Sequence, residues 1–148
     1  MAGASFAAIN STAGAAAPKT QIGLLAATVR ARVRGLRIGN TAATSAGGVR
    51  FVLNAVSTAG TKTDITLANA KLDPNSTAPV TQPSSTYTAE PTSGVSTEDF
   101  GFDRVGTYIL WYPPGAEPFV TGTTRLALQK IIGTETDVYA GTIVWSED

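Results

Sequence analysis

Apolar residues recur at every second position in several short runs along this chain. Such runs occupy residues 29–38, 49–55 and 124–132, a denser one occupies residues 107–112, and a last one lies within residues 137–148. No window of eleven residues combines the 3.6-residue period of an amphipathic helix with capping residues. The pattern predicts an all-β protein, folded as an antiparallel, jelly-roll-like β-sandwich with turns between short strands.

The segment VRARVRGLRIGN, residues 29–40, changes the phase of its alternation once, at Gly35. A β-bulge built on this glycine would insert one unpaired residue and let both halves of the strand keep the same face toward the core. The arginines of the segment then point away from the core: Arg30, Arg32, Arg34 and Arg37. The alternating run at residues 49–55 predicts the partner strand of a long hairpin.

The segment TYILWYPPG, residues 107–115, carries apolar side chains on both faces of a predicted strand. This composition is typical of a central strand that is buried on both sides. We interpret Trp111, Tyr112 and Trp145 as core residues. An exposed platform on which sugars stack is the alternative.

Two segments lack the alternating pattern. Residues 1–20 are rich in alanine, glycine, serine and threonine, which predicts an N-terminal arm outside a single sandwich domain of residues 21–148. This arm is ordered only if something holds it, and a frayed terminus is the alternative. Residues 57–99 contain many threonines, serines and prolines, with short strands predicted at residues 65–67 and near Tyr87. This second segment forms either long loops or an extended strap on a neighbouring subunit.

Composition limits the chemistry that the chain can perform. It has no cysteine and no histidine, which excludes disulfides, thiolate nucleophiles, imidazole bases and most transition-metal sites. Pairs of carboxylates can catalyse glycoside hydrolysis, but the candidates stand in loops of threonine, serine and proline: Glu90, Glu98, Asp99, Asp103 and Glu117. We therefore expect no enzymatic activity, no cofactor and no metal site.

Charge is low and balanced, with 11 basic and 11 acidic residues and only 15% charged residues in total. A neutral chain with one arginine-rich strand lacks the electrostatic footprint of a nucleic-acid-binding protein. The arginine row either pairs with carboxylates on an adjacent strand or docks on an acidic protein surface, for which arginine is favoured over lysine. We expect no signal peptide and no membrane span.

Three segments carry a resemblance to a known class of proteins: RVRGLRIGNTAATSAGGVRFVLNA, GTYILWYPPGAEPF and AGTIVWSED. The chain resembles the small all-β virion proteins of tailed bacteriophages, especially the decoration or cement proteins bound to the capsid exterior. The resemblance implies a trimer or dimer that straddles junctions between capsid subunits and strengthens the shell against internal pressure. It implies no catalytic residues.

We accordingly expect a non-enzymatic virion protein, made in the host cytoplasm, that binds the major capsid protein on the capsid surface and assembles as a homotrimer. The residues expected at protein interfaces are Arg30, Arg32, Arg34, Arg37, Phe6, Ile9 and Tyr87. The arginines would dock on acidic neighbours, and the others would contact further subunits through the two flanking segments. The alternatives are a head-fibre or tail-associated adhesin that binds host glycans, and a head-to-tail joining or tail-tube subunit.

Overall fold

A computed structural model describes residues 5–12, 19–25, 28–41, 46–122, 124–132 and 138–148. In these ranges the chain forms eleven strands and one short 3₁₀ helix, Leu67–Ala70. The strands are β1 (Ser5–Thr12), β2 (Lys19–Leu25), β3 (Ala31–Asn40), β4 (Gly48–Val56), β5 (Thr61–Asp64), β6 (Gln82–Ala89), β7 (Ser93–Asp103), β8 (Thr107–Trp111), β9 (Phe119–Val120), β10 (Arg125–Ile132) and β11 (Tyr139–Glu147). The prediction of an all-β protein is confirmed.

The strands form two sheets that pack face to face. The front sheet has the order β1-β11-β3-β8, and the short strand β9 also pairs with β3. The back sheet has the order β5-β6-β2-β10-β4-β7. Every strand pairing is antiparallel. Alternate side chains of each strand therefore point into the space between the sheets.

The strand pairs form a nested series. β1 pairs with β11 and β3 pairs with β8 in the front sheet, while β2 pairs with β10 and β4 pairs with β7 in the back sheet. The chain thus behaves as one long antiparallel ribbon that is wrapped into two sheets, which is the jelly-roll arrangement. The jelly-roll-like sandwich predicted from the alternation is therefore confirmed.

The core lies between the sheets and is rich in aromatic side chains. Phe51 of β4 and Tyr139 of β11 are completely buried, and their ring centroids lie 5.2 Å apart in an edge-to-face contact. At one side of the sandwich, the ring of Tyr108 on β8 stacks on Phe100 of β7 with a centroid distance of 4.0 Å. This stack connects the edge strand of the front sheet to the edge strand of the back sheet.

Two predictions about strand placement are wrong. β3 and β4 do not form a hairpin, because β3 lies in the front sheet and β4 in the back sheet. β8 is not a central strand, because it forms the edge of the front sheet, and among the described strands only β3 pairs with it. Tyr108 and Leu110 pack toward the core, whereas Ile109 and Trp111 are exposed. The second apolar row of β8 therefore faces solvent.

The predicted N-terminal arm contributes a strand to the sandwich. β1 pairs with β11 over eight residues and forms the other edge of the front sheet. Phe6 of this strand is only 3% exposed, and its ring centroid lies 5.7 Å from that of Trp145. Because Phe6 fills the core of its own chain, it is not available for the contact with another subunit that we expected.

The segment 57–99 is largely built into the back sheet. It supplies β5 and β6 at one edge of that sheet and most of β7 at the other. The connections 57–60 and 90–92, here called the strap, must therefore cross the outer face of the back sheet. Ser57 N–H donates to the Thr92 carbonyl (3.0 Å), and Thr92 N–H donates to the Thr58 hydroxyl (2.8 Å). An extended strap does exist in this segment, but it lies on the chain's own sheet.

A polar network fastens the strap to the back sheet. The side-chain amide of Asn54 donates to Gln129 (2.7 Å), and that of Gln129 donates to the Thr20 hydroxyl (3.0 Å). The Thr20 N–H and hydroxyl both donate to the Glu90 carboxylate, which also lies 3.3 Å from the Lys19 ammonium. Because Glu90 belongs to the strap, these contacts connect the strap to β2, β10 and β4.

Candidate functional site

The arginine row of β3 contains the predicted β-bulge. Val33 lies opposite Trp145 of β11, whereas Gly35 lies opposite Val144, so Arg34 has no partner residue on β11. The extra residue shifts the alternation by one position, as the phase change in the sequence indicated. The apolar residues on both sides of the bulge therefore face the core, and the arginines lie on the outer face of the front sheet.

The arginines of the row have different electrostatic surroundings. Nε of Arg32 lies 3.1 Å from both carboxylate oxygens of Asp148. Arg34 forms an ion pair with Glu117. Arg37 is exposed and makes no ion pair with any residue that the structure describes. Carboxylates of the same chain thus neutralise two of the arginines, and Arg37 remains available to a partner.

Glu117 is held in place by the turn that follows β8. Gly115, with a φ of 90°, donates its N–H to the Glu117 carboxylate at 2.6 Å. Hydrogen bonds from the backbone N–H groups of Glu117 and Gly115, with the positive charges of Arg34 and Arg32, hold the pKa of the Glu117 carboxyl below its usual value. The ionised carboxylate is almost fully buried and fixes the Arg34 guanidinium on the sheet.

Arg30 lies just before β3, at the end of the arginine row. Its backbone exchanges two hydrogen bonds with Asp148, at 3.2 and 3.0 Å. Its guanidinium carbon lies 5.2 Å from the centroid of the exposed ring of Phe119 on β9, which is a cation–π contact. The row therefore extends onto β9 as an exposed arginine–aromatic pair.

The indole of Trp111 lies flat on the outer face of the front sheet, over Gly35. A Cβ added to Gly35 would lie 2.4 Å from Cε3 of the indole and 2.8 Å from both atoms bonded to it, Cδ2 and Cζ3. If the added Cβ approached the ring from its edge, Cδ2 and Cζ3 would lie farther from it than these distances. The added Cβ would therefore lie over the face of the ring. One indole face rests on the glycine, and because the side chain is 62% exposed, the other face is open to solvent.

Trp111 forms part of an apolar groove of about 420 Å³ on the front sheet. One wall of the groove is made by Trp111 and Ile109 of β8, and the other by Ile9 of β1 and by Leu72. Ile9 is 69% exposed and Ile109 is 57% exposed. A contiguous cluster of exposed apolar side chains marks a candidate interaction site.

The strand register places Arg37 within this groove. Ile9, Thr142, Arg37 and Ile109 lie side by side across β1, β11, β3 and β8. Arg37, which has no ion pair in the described residues, therefore lies between Ile109 and Thr142, with Ile9 beyond Thr142 and the indole one row away. We call the surface formed by Ile9, Arg37, Leu72, Ile109 and Trp111 the docking face. Arginine and tryptophan are the residue types most enriched at the centre of protein interfaces.

The predicted interface residues separate into two groups. Arg32, Arg34 and Arg37 lie with Ile9 on the outer face of the front sheet, and Arg30 lies at its end. Phe6 and Tyr87 do not reach this surface, because both are buried in the chain itself.

Tyr87 is a structural residue of the back sheet rather than the expected contact with another subunit. It is 3% exposed, and its hydroxyl lies 2.7 Å from that of Ser84. A Cβ on Gly23 would lie 2.0 Å from the Tyr87 hydroxyl oxygen, so glycine at this position leaves room for the phenol. Burial raises the pKa of Tyr87.

Sequence reasoning missed Leu72, Ile109 and Trp111. The available signal for Ile109 and Trp111 was the second apolar row of TYILW, which indicates either a second buried face or an exposed interface. No pattern in the sequence indicated Leu72. We predicted the buried face, and for Trp111 this is wrong. For Trp145 and Tyr112 the core interpretation agrees with their positions, since Trp145 is completely buried and Tyr112 packs against the core.

The carboxylates considered for catalysis are dispersed over the molecule. Glu90 lies in the strap and binds Thr20, Glu117 lies in the turn beside Arg34, and Asp99 forms an ion pair with Arg50. Among the residues with described positions, no group of three acidic side chains is close enough to hold a metal ion.

Comparisons with known proteins find no protein-family model, no curated protein and no solved structure that matches this chain. Across the described ranges, no helix has the length and apolar character needed to cross a lipid bilayer.

Proposed function

We propose that this chain is a non-enzymatic structural protein of a tailed-phage virion, which binds the outside of the capsid as a decoration protein and stabilises the shell. The main support is the docking face. There Arg37, exposed and without an ion-pair partner in the described part of the chain, lies between exposed isoleucines and beside an exposed tryptophan.

The chemistry of this face fits an acidic protein surface. Burial of exposed apolar side chains is the general driving force for association, at roughly 25 cal/mol for each Å² of apolar area. Arg37 adds charge complementarity, which selects an acidic partner and fixes the register of docking. A jelly roll occurs in many viral capsid domains, and this fold-level analogy agrees with the resemblance in sequence.

A repeating shell suits contacts of this size. Each docking face is small, and a single contact of this kind is expected to be weak. We propose that the chain binds as a homotrimer, because a trimer engages several sites of the shell at once and avidity then multiplies weak contacts. A chain that binds the folded shell protein but not the unfolded one would stabilise the shell by mass action.

The proposal is tested with shells assembled from the major capsid protein of the same virion, which is the proposed partner. The test variant is the double substitution Trp111→Ser/Arg37→Gln, and the matched control is Ile132→Ser/Arg50→Gln, which removes an exposed apolar residue and an exposed arginine from the back sheet. We expect the wild type and the control to co-sediment with shells and to raise their melting temperature, and the test variant to do neither. Shells that bind none of these proteins would refute the proposal.

The exposed indole favours a second candidate function, a virion adhesin that binds host glycans. A flat, solvent-facing aromatic ring over a sheet is the geometry on which a sugar ring can stack, and Thr107, Thr142 and Asn40 line an adjoining polar depression. This candidate predicts glycan-array signals that disappear in Trp111→Ala while the circular dichroism spectrum is unchanged. In that case Arg37→Gln would affect only acidic glycans.

A further inference from the structure

We propose that the free edge of β8 accepts an extended segment of the shell protein as an additional strand of the front sheet. The segment would alternate apolar side chains with one carboxylate, and the carboxylate would face Arg37. The identity of the partner rests on the proposed function, whereas the mode of binding rests on the geometry of β8.

The backbone of β8 has unused hydrogen-bonding groups along its outer edge. Tyr112 N–H donates to the Arg34 carbonyl at 2.9 Å, so it points toward β3. Backbone groups of alternate residues in a strand point to the same side, so those of Thr107, Ile109 and Trp111 point away from β3. In the described part of the chain no strand lies on that side of β8. Three residues thus offer donors and acceptors to an added strand.

Among the edge strands that the structure describes, β8 alone lacks the features that discourage pairing with another strand. β7 carries Glu98, Asp99 and Asp103 and has two irregularities in register, while β5 is short and carries a lysine and an aspartate. β1 makes an additional bridge to Lys71 on its outer side. β8 has no charge, no proline and no register shift against β3. Natural sheets protect such apolar edges, so an unprotected edge indicates that a partner covers it.

The Trp111 side chain leaves this edge accessible. The indole lies back over Gly35 of β3, so it does not extend over the position of an added strand. A strand paired with β8 would lie about 4.8 Å beyond it. Its outward side chains would continue the rows of the docking face and would contact Ile109 and the rim of the groove.

The register determines where the acidic residue should stand. Arg37 pairs with Ile109 across β3 and β8, so the residue of the added strand opposite Ile109 extends the row that contains Arg37. A carboxylate at that position can meet the guanidinium of Arg37 across Ile109, since Arg37 has no ion pair in the described residues. Apolar residues two positions away on either side remain on the same face. The partner segment should therefore carry one carboxylate opposite Ile109, with an apolar residue two positions before it and another two positions after it.

A second copy of this chain fits the edge less well. β7 lies beside β8 at the same side of the sandwich, as the Phe100–Tyr108 stack shows. Two copies joined through β8 would bring their acidic β7 strands close together, and like charges at short range oppose association. We therefore assign the edge to the shell protein.

The mode of binding is tested with a short capped peptide in which valine alternates with threonine around one central glutamate. Hydrogen exchange of the full-length protein is followed with and without the peptide. We expect new protection at the amides of Thr107, Ile109 and Trp111, and little change at Tyr108 and Leu110, which already pair with β3. Absence of protection at saturating peptide concentrations would overturn the proposal.

Two variants of one residue separate the edge backbone from the apolar side chain. Ile109→Pro removes an outward N–H without removing a hydrogen bond to β3, and proline is compatible with an edge strand in this orientation. Ile109→Ala loses the same side chain but keeps the N–H. We expect peptide binding to weaken by about tenfold more in Ile109→Pro than in Ile109→Ala. Equal binding by the two variants would exclude strand addition.

The role of Arg37 is tested with the matched peptide that has lysine in place of glutamate. Wild-type protein should prefer the glutamate peptide by several-fold, and Arg37→Gln should lose this preference while still protecting the β8 amides. A preference that persists in Arg37→Gln would contradict the assigned register. Self-association at high protein concentration that is lost in Ile109→Pro would instead assign the edge to a second copy.

The shell assay keeps this inference separate from the proposed function. Shells that bind wild type and Ile109→Pro equally would leave decoration intact and overturn strand addition. Peptide protection at β8 without any binding to shells would support strand addition and refute the decoration function. We expect shells to bind wild type and Ile109→Ala more tightly than Ile109→Pro.

Discussion

Trp111 and Gly35 are directly opposite each other on β8 and β3, at a position where the two strands exchange no backbone hydrogen bond. Residues at such positions approach more closely than at hydrogen-bonded positions. The indole covers the glycine and replaces the side chain that glycine lacks, a known way to stabilise glycine in a sheet. Gly35 thus lies at the bulge of β3 and also leaves room for the indole of Trp111.

Substitution of Gly35 by alanine should displace the indole. The new Cβ would lie 2.4 Å from Trp111 Cε3, and because Trp111 lies on the surface it can rotate away. We expect a loss of about 1 kcal/mol in the free energy of unfolding, at the low end for an overpacked site, measured by urea denaturation. The double variant Gly35→Ala/Trp111→Ala should be no less stable than Trp111→Ala alone. Additive losses would show that the two residues do not interact.

The ion pair of Glu117 should make stability depend on pH in the acidic range. Folding lowers the pKa of this carboxyl, so its contribution is present above the ordinary pKa of 4.5 and is lost as the pH falls through the folded value. Glu117→Gln should therefore melt at a lower temperature than wild type near neutral pH, and the difference should narrow below pH 4.5. A difference that stays constant on acidification would contradict this assignment.

Removal of the Glu90 carboxylate should release the strap. Glu90→Ala loses the acceptor of two hydrogen bonds from Thr20 and the contact with Lys19. We expect global stability to fall by about 1.5–3 kcal/mol, as for hydrogen bonds to a charged group. The strap should become sensitive to limited proteolysis. The control is Asp73→Ala, in an exposed turn away from the strap, which should leave the cleavage pattern unchanged.

Loss of the buried side-chain amide of Asn54 should lower the free energy of unfolding more than loss of an exposed side-chain amide. Asn54→Ala removes hydrogen bonds to Gln129 (2.7 Å) and Ser96 (2.7 Å) beneath the strap. Buried partners left unsatisfied cost about 1–3 kcal/mol. Asn75→Ala, in an exposed turn, should change stability by less than about 0.5 kcal/mol. Equal effects in chemical denaturation would show that the network under the strap contributes nothing.

The fold class and the bulge could be predicted from local pattern. Alternation in β3 and β10 predicts strands because side chains of a strand point to opposite faces. The phase change at Gly35 predicts the bulge because one extra residue is the smallest change that restores the buried face. The outward direction of Arg32, Arg34 and Arg37 follows directly.

The candidate site could be predicted only in part. The arginines and Ile9 were indicated by sequence, whereas Ile109 and Trp111 were assigned to a buried strand. An apolar residue in the sequence indicates a side chain that is more stable away from water. It does not indicate whether its own chain or another chain covers that side chain. The burial of Phe6 and Tyr87 was missed for a related reason, because distant strands cover both residues. Phe6 enters the core beside Trp145, and Tyr87 packs over Gly23 of β2.

The sequence by itself determined the all-β class, the alternating strands β3, β4, β8, β10 and β11, the direction of the arginine row and the absence of thiol and imidazole chemistry, since these depend on residue type and on spacing along the chain. Only the tertiary structure decided that β8 is an edge strand, that the strap lies on its own sheet, and that Arg37 has no ion-pair partner in the described residues. The reason is that strand order depends on contacts between residues far apart in the chain, such as β1 with β11, and local alternation is the same for a central strand and for an edge strand.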